Sequence, residues 1–211
     1  MDLQNKNIVN LFNPAEVNNK SLLLFMYSFV PAAFVAKTIE SALVYLLLAF
    51  VYIVLVFLTS LLINKTVRED LKFVVIPLIF IGLAVLVSQL AGAFFINFTR
   101  EYILYIYLLA VSAIPYMLVN DNKDKTFGNG LTNTLQTFIG FAVVLIVIAF
   151  VRELLGTGMI TFGSYTSISF SINVFSKYAI TVLQNPFGTL IILGFIMALV
   201  NRKVVASWWH I

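Results

Sequence analysis

Two charged residues stand side by side at the end of a long apolar run. Arg152 and Glu153 follow residues 139–151, which carry no charge, and are followed closely by Gly156 and Gly158. A charged side chain inside a membrane costs at least ~2.5–3.5 kcal/mol, even on insertion scales. The pair therefore predicts either a contact that holds helices together or a place on an ion path, and we expect the structural role first.

A third charged residue, Glu40, opens another apolar run at residues 42–63. If each long apolar run crosses a membrane, Glu40 and Arg152 lie on the same outer side. Opposite charges attract strongly where the effective dielectric constant is low, so each can neutralise the other. We expect Arg152 and Glu153 to contact either Glu40 or the loop after Gly158. Whether such a contact is purely structural or part of an ion path stays open.

Four further polar residues are weaker candidates. Arg100 and Glu101 are predicted to lie in a solvated turn between the third and fourth spans, which is an ordinary place for charges. Ser88 and Gln89 interrupt the third span. We expect these two residues to form hydrogen bonds between helices, as polar groups in membrane bundles commonly do.

The elements that carry these residues are predicted to be membrane helices. The chain has 211 residues, of which 61% are hydrophobic and 10% charged, and its charge-free blocks are too long for the core of a soluble domain. Since roughly 20 residues span a bilayer, six spans take up most of the length. The predicted fold is an all-α integral membrane protein, and its charge-free blocks are residues 22–35, 42–63, 73–95, 102–119, 138–151 and 178–200.

Prolines interrupt the first and fourth of these six transmembrane helices. Pro31 lies in span one and Pro115 in span four, and a proline removes a backbone donor and clashes with the preceding turn. We therefore expect span one to kink or unwind near Phe29 and Val30, and span four to be broken as well. Because the proline of span one recurs at the corresponding place in span four, we predict two inverted three-helix repeats whose breaks meet at a central site. The alternative is that prolines are simply common in membrane helices.

Basic residues set the predicted orientation. Nine of the thirteen Lys and Arg residues fall on the side that holds both termini, and loops of this kind stay in the cytoplasm. The predicted organisation is a cytoplasmic N-terminal segment at 1–20, a six-helix membrane domain at 21–203 and a cytoplasmic or interfacial tail at 204–211. Residues 1–20 lack the pattern of a signal peptide. Residues 156–176 are predicted to form an irregular outer loop, with a segment lying on the membrane around 168–175.

The composition excludes several kinds of metal and redox centre. The chain has no cysteine, so it forms no disulfide and supplies no thiolate to an iron–sulfur cluster. Its single histidine, His210, lies at the C-terminal tip. Haem ligation and zinc chemistry are therefore nearly excluded as well.

Several segments resemble one family of respiratory membrane proteins. The sequence F-V-R-E-L-L-G-T-G at residues 150–158 resembles the R-E-L-L-G-S-G signature of the small six-helix subunits of the Rnf and Nqr complexes, of the Rnf E / Nqr D type. The sequence K-T-I-E-S-A at residues 37–42 resembles T-K-L-E-T-A at the start of the second span. Weaker likenesses lie at residues 13–15 and around Pro186. The complexes of this family couple electron transfer to the movement of Na⁺ or H⁺.

The resemblance implies a [2Fe-2S] cluster between two oppositely oriented subunits, bound by cysteines from their broken first and fourth helices. The positions that match those cysteines are Val30 and Ala113, neither of which can bind iron. An acidic position before span five falls on Asn133, or on Lys125 in another alignment, and an acidic position in span three falls on Ser88. The chain therefore resembles the scaffold of the family without its cluster ligands.

These observations predict a membrane subunit of an Rnf/Nqr-like electron-transport, ion-translocating complex. It would act as a scaffold or gate, at most a non-catalytic subunit of a redox-driven translocase. We expect it in the bacterial cell membrane beside a homologous, oppositely oriented six-helix subunit and other subunits, with no nucleic-acid partner. It would hold no cofactor of its own, and a [2Fe-2S] cluster or a flavin would belong to partner subunits. The alternative is a small-molecule transporter, or its substrate-binding membrane component, with the same inverted-repeat architecture.

Overall fold

The computed structural model describes residues 29–121, 126–166, 169–174, 176–185, 187–195 and 198. The N-terminal segment at 1–20, most of the predicted first span and the C-terminal tail at 204–211 lie outside these residues, as do Lys125, Pro186 and His210. The described part of the chain is mostly helical, as the apolar blocks predict.

The helices follow one another with short connections. The described part of the first, α1, covers residues 29–35. The others are α2 (Ile39–Thr66), α3 (Glu69–Phe94), α4 (Ile96–Val111), α5 (Ala113–Asp121), α6 (Phe127–Thr157) and α7 (residues 187–195).

Four helical stretches of the described residues are long and apolar enough to cross a membrane. They are Ile39–Thr66, Val74–Phe94, Ile96–Val119 and Phe127–Thr157. Large apolar side chains point outward along them, such as Leu78 and Ile139, which are 65% and 58% exposed. The outer surface of the bundle is therefore suited to contact lipid, and helix α2, which packs against α3, α4, α5 and α6, forms its centre.

The predicted fourth span, which corresponds to Ile96–Val119, is interrupted, as Pro115 predicts. Helix α4 ends at Val111 and α5 begins at Ala113, and the residue between them, Ser112, is extended with φ −64° and ψ 154°. Pro115 has no N–H to donate to the carbonyl of Val111, and its ring crowds that carbonyl in a continuous helix. The Ser112 side chain donates a hydrogen bond to the Leu109 carbonyl over 2.8 Å, which satisfies one carbonyl at the end of α4.

The described break near the first span lies later than expected. Phe29 and Val30 are helical, and α1 ends at residue 35. The chain then turns through residues 36–38 before α2 begins. A capping box explains where α2 starts: Thr38 Oγ1 accepts from the Ser41 N–H over 3.1 Å, and Ser41 Oγ accepts from the Thr38 N–H over 3.1 Å.

The segment after α6 is not wholly irregular, so the prediction of an all-α fold is wrong in this loop. Gly156 and Thr157 still belong to α6, which ends where Gly158 adopts the left-handed conformation with φ 68°. Two short strands follow, β1 (Met159–Phe162) and β2 (Phe170–Asn173), paired antiparallel as a hairpin. Apolar and polar residues alternate along β2 and through residues 160–162 of β1, and that period of two favours an extended chain over a helix.

The entry to the last span also differs from the prediction, which began the span at Tyr178. Residues Ser176–Tyr178 and Thr181–Gln184 form single 3₁₀ turns, and α7 is described only from residue 187. Asn185 is extended, with ψ 160°, because a residue before proline is disfavoured in the helical conformation. The carbonyls of Leu183 and Gln184 in this non-helical segment accept hydrogen bonds from a side chain of α6.

Candidate functional site

Arg152 is completely buried on α6 and binds four backbone carbonyls. Its Nη1 donates to the carbonyls of Ala33 and Ala36 over 2.7 and 3.1 Å. Its Nε and Nη2 donate to the carbonyls of Leu183 and Gln184, each over 3.2 Å. A guanidinium has five N–H donors in a rigid fork, so one side chain satisfies the end of α1 and the turn before α7 together.

Glu153, also completely buried, binds backbone N–H groups instead. One carboxylate oxygen accepts from the Ile39 N–H over 2.6 Å, at the first residue of α2. The other accepts from the N–H and the hydroxyl of Thr161, over 2.6 and 3.0 Å. Glu153 therefore joins the start of α2 to strand β1.

Together, Arg152 and Glu153 hold both sides of the chain break at residues 36–38, and we call this pair the charge clamp. The last carbonyls of a helix carry partial negative charge and its first N–H groups carry partial positive charge. The cation of the clamp lies at the end of α1 and the anion at the start of α2. Each charge thus meets the helix end of opposite polarity, which compensates its burial.

Glu40 fixes the loop between the hairpin strands. Its Oε2 accepts from the N–H groups of Gly163 and Ser164 over 3.1 and 2.9 Å. Its Oε1 accepts from the N–H groups of Tyr165 and Thr166 over 2.9 and 2.7 Å, and from the Thr166 hydroxyl over 2.8 Å. Gly163 has φ 120°, a conformation that side-chain-bearing residues rarely adopt. A single buried carboxylate therefore organises four consecutive residues, 163–166, of the loop between β1 and β2.

The expected pairing of Glu40 with Arg152 does not occur. Glu40 and Arg152 do not form an ion pair with each other, whereas Lys37 pairs with Glu101 and Arg68 with Asp70. Glu40 and Arg152 bind separate sets of backbone groups, because chain breaks and loops leave free N–H and carbonyl groups that must be satisfied when they are buried. Glu153 does contact the loop after Gly158, at Thr161. A place for these residues on an ion path stays a prediction.

Glu101 belongs to helix α4, not to a free turn as the sequence predicted, and Arg100 precedes it on the same helix with an exposed side chain. One Glu101 oxygen pairs with Lys37 Nζ over 3.0 Å, and the other accepts from the Tyr165 hydroxyl over 2.6 Å. Burial, and then the bond to Glu101, raise the pKa of Tyr165 to about 12. The phenol thus stays a neutral donor at physiological pH, and its hydrogen bond connects the loop between β1 and β2 to α4.

The weaker candidates occupy different places in the bundle. Ser88 is buried, donates to the Val85 carbonyl over 2.7 Å and lies 3.4 Å from the Tyr107 hydroxyl, so it contacts α4 from α3. Gln89 is exposed. Asn133 lies on α6, and its buried Nδ2 has no hydrogen-bond partner among the described residues.

A cavity of about 280 Å³ lies where α1 meets the broken fourth span. Two positions match the family's cysteines. Val30 lines the cavity, and Ala113 is the next residue in sequence after Ser112, which also lines it. An iron–sulfur cluster needs thiolate ligands, and this chain has no cysteine. The residues present therefore do not fit the cluster. The cavity is lined by Val30, Pro31, Phe34, Tyr105, Leu108, Val111 and Ser112.

Two glycines allow close packing of the segment before α7, one where it meets α6 and one where it meets the start of α7. A Cβ on Gly156 would lie 2.6 Å from Gln184 Nε2, which donates to the Arg152 carbonyl over 3.0 Å. A Cβ on Gly188 would overlap the backbone of Leu183, whose carbonyl accepts from Arg152. The glycine at position 156 is thus explained by its close approach to Gln184, the residue whose carbonyl accepts from Arg152.

Gly188→Ala is expected to destabilise the protein by about 1–3 kcal/mol, the usual cost of forcing an extra carbon into a packed site. The added Cβ must displace the Leu183 backbone from Arg152. Thermal unfolding in detergent measures the change. Gly82→Ala is the control, because nothing lies within 4 Å of its added Cβ. Equal melting temperatures for both variants would contradict the close approach.

Comparison with known proteins identifies a family for the chain. A family model described as "Rnf-Nqr subunit, membrane protein" matches residues 8–201, a range that contains the charge clamp, Glu40 and both chain breaks. No curated protein matches the chain significantly.

Proposed function

Because the chain belongs to the Rnf-Nqr membrane subunit family, we propose that it is a scaffold or gating subunit that holds no [2Fe-2S] cluster of its own. The family is one of membrane subunits of electron-transport, ion-translocating complexes. The proposal adds that this subunit contributes shape and contacts to such a complex, while other subunits bind the redox groups.

The charge clamp is the observation that carries this proposal. Arg152 and Glu153 satisfy the backbone on both sides of the break between α1 and α2. Buried backbone N–H and carbonyl groups that a chain break leaves free must be satisfied by protein groups or by water. Here the chain's own side chains do so, which means that the described break needs no bound group to hold it open.

The proposed partner is a homologous six-helix subunit of opposite orientation, in a bacterial cell membrane with both termini of this chain in the cytoplasm. The two inverted repeats remain part of the proposal. They are supported by the break at Ser112 in the fourth span and by the cavity that this break shares with α1. A [2Fe-2S] cluster or a flavin in the complex would be bound by partner subunits.

A second candidate function is a small-molecule transporter or its substrate-binding membrane component. The cavity lined by α1 and the break of span four favours this alternative, because ligand sites in transporters lie where discontinuous helices meet. Its lining is mostly apolar, with the hydroxyls of Tyr105 and Ser112 as polar groups. A bound small molecule in the purified protein, and uptake lost on deletion of the gene, would support it.

Affinity purification of the tagged chain from its native membrane tests the first proposal. We expect a homologous six-helix membrane subunit to co-purify with it, because the family functions within multi-subunit complexes. Recovery of the chain alone, from membranes that contain its neighbours, would overturn the proposal. Recovery alone together with a stoichiometric small molecule would favour the transporter.

A further inference from the structure

The hairpin after α6 carries only apolar side chains on one of its two faces. In the register of the strands, Ile160 lies opposite Ile172 and Phe162 opposite Phe170. The Phe162 and Phe170 rings stack with centroids 4.7 Å apart. Thr161 alternates with Ile160 and Phe162 along β1, so its side chain lies on the other face. One face is thus apolar in both strands.

The bundle covers the edge of this hairpin and leaves much of its apolar face open. Strand β1 contacts α2 and α6, and Thr161 is bound by the Glu153 carboxylate. Strand β2 lies on the far side, where Phe170 and Ile172 are 45% and 52% exposed. Exposed apolar area of this kind marks an interaction surface when it is contiguous.

The hairpin lies at the level of the membrane boundary. Its loop is held by Glu40 in the first turn of α2 and by Glu101 on α4. Beside that loop, Lys37 and Glu101 have side chains 39% and 44% exposed. Long basic side chains near the ends of membrane helices reach the interface. The hairpin therefore lies beside residues suited to that interface.

The apolar face continues into the segment that leads back to the membrane. Val174 follows β2 and is 52% exposed, while Ile180, Val182 and Phe187 are 53%, 54% and 74% exposed. These residues connect the hairpin to the outward face of α7, which carries exposed Leu190 and Ile191. Exposed apolar residues thus recur along the chain from the hairpin to α7.

We infer that the hairpin lies flat on the outward-facing surface of the cell membrane, with its apolar face in the boundary between headgroups and acyl chains. Amphipathic elements bind in this plane with the apolar face buried by ~5–10 Å. The unpaired edge of β2 excludes a deeper position, since open sheet edges do not occur in hydrocarbon. Lys177, exposed in the turn that follows, adds attraction to anionic headgroups.

Single-cysteine labelling of the full chain tests this inference, because the chain has no cysteine of its own. Ile172→Cys places a nitroxide label on the apolar face, and Ser171→Cys places one on the opposite face of the same strand. The protein is reconstituted into vesicles of phosphatidylethanolamine and phosphatidylglycerol. Collision of each label with oxygen, which concentrates in lipid, is compared with collision with a water-soluble nickel chelate.

The label at Ile172 is expected to favour oxygen several-fold over the chelate, while the label at Ser171 favours the chelate. Preference for the chelate at both positions would overturn the inference. Shielding of the Ile172 label from both reagents would overturn it too, and would assign the face to a protein partner. If Ile172→Cys does not fold, Val174→Cys, whose residue follows on the same side, decides between the same outcomes.

Discussion

Replacing Arg152 by glutamine is expected to destabilise the membrane bundle by on the order of 3–5 kcal/mol. The substitution removes donors from four backbone carbonyls, two at the end of α1 and two before α7. A buried acceptor left without a partner costs about 1–3 kcal/mol, and relaxation and water offset part of the sum. Thermal unfolding in detergent measures the effect, and unfolding is monitored as the loss of monodisperse protein with temperature.

Arg100→Gln is the matched control for this substitution. It removes the same charge from an exposed arginine on α4, and surface changes of this kind alter stability by about 0.5 kcal/mol or less. Arg152→Lys is expected to recover only part of the loss, because an ammonium cannot place donors in the fork that reaches all four carbonyls. Equal stability of the Arg152→Gln and Arg100→Gln proteins would show that the charge clamp does not hold the break.

Replacing Glu40 by glutamine is expected to destabilise the loop between β1 and β2 without unfolding the bundle. The amide nitrogen of glutamine would face N–H donors where a carboxylate oxygen now accepts from them. Hydrogen bonds to a charged group contribute about 1.5–3 kcal/mol each. We expect a local loss of about 2–4 kcal/mol, confined to residues 163–166.

Amide hydrogen exchange measures this local opening. Exchange at Gly163, Ser164, Tyr165 and Thr166 is expected to rise by at least about 30-fold, since each ~1.4 kcal/mol is a factor of ten. Glu101→Gln is the control, because Glu101 holds the same loop through the Tyr165 hydroxyl and not through backbone N–H groups. Unchanged exchange in the Glu40→Gln protein would contradict the role assigned to this carboxylate.

Some features of the fold and site were predictable from residue types alone. Pro115 predicts the interruption at Ser112, because a proline affects the helix within one turn of its own position. The cost of a buried charge predicts that Arg152 and Glu153 have buried partners. The sequence around Arg152 also resembles the family that the family model identifies.

The partners of these charges could not be predicted in the same way. A sequence shows which side chains are charged, but not which backbone carbonyls a distant chain break leaves free at the same depth. Arg152 binds Ala33, more than a hundred residues away, through such a carbonyl. The T-x-x-S pattern of Thr38 and Ser41 was a usable signal for the start of α2, and it marks where Glu153 would find a free N–H.

The hairpin was missed for a related reason. Each strand has only four residues, which is short for a period of two to be distinguished from a loop. Its position depends on contacts from Glu40, more than a hundred residues earlier in the sequence, and from Glu153 on the preceding helix. The alternation of Phe170, Ser171 and Ile172 was nevertheless visible, and it now defines the face proposed to contact lipid.

Iron and acid-labile sulfide analysis of the chain, isolated anaerobically and separated from its partners, tests whether this subunit holds a cluster of its own. We expect no stoichiometric iron or sulfide in the isolated chain, and thermal stability that does not depend on either. We also expect any cluster of the native complex to stay with partner subunits. Stoichiometric iron and sulfide bound to the isolated chain would contradict the proposed function.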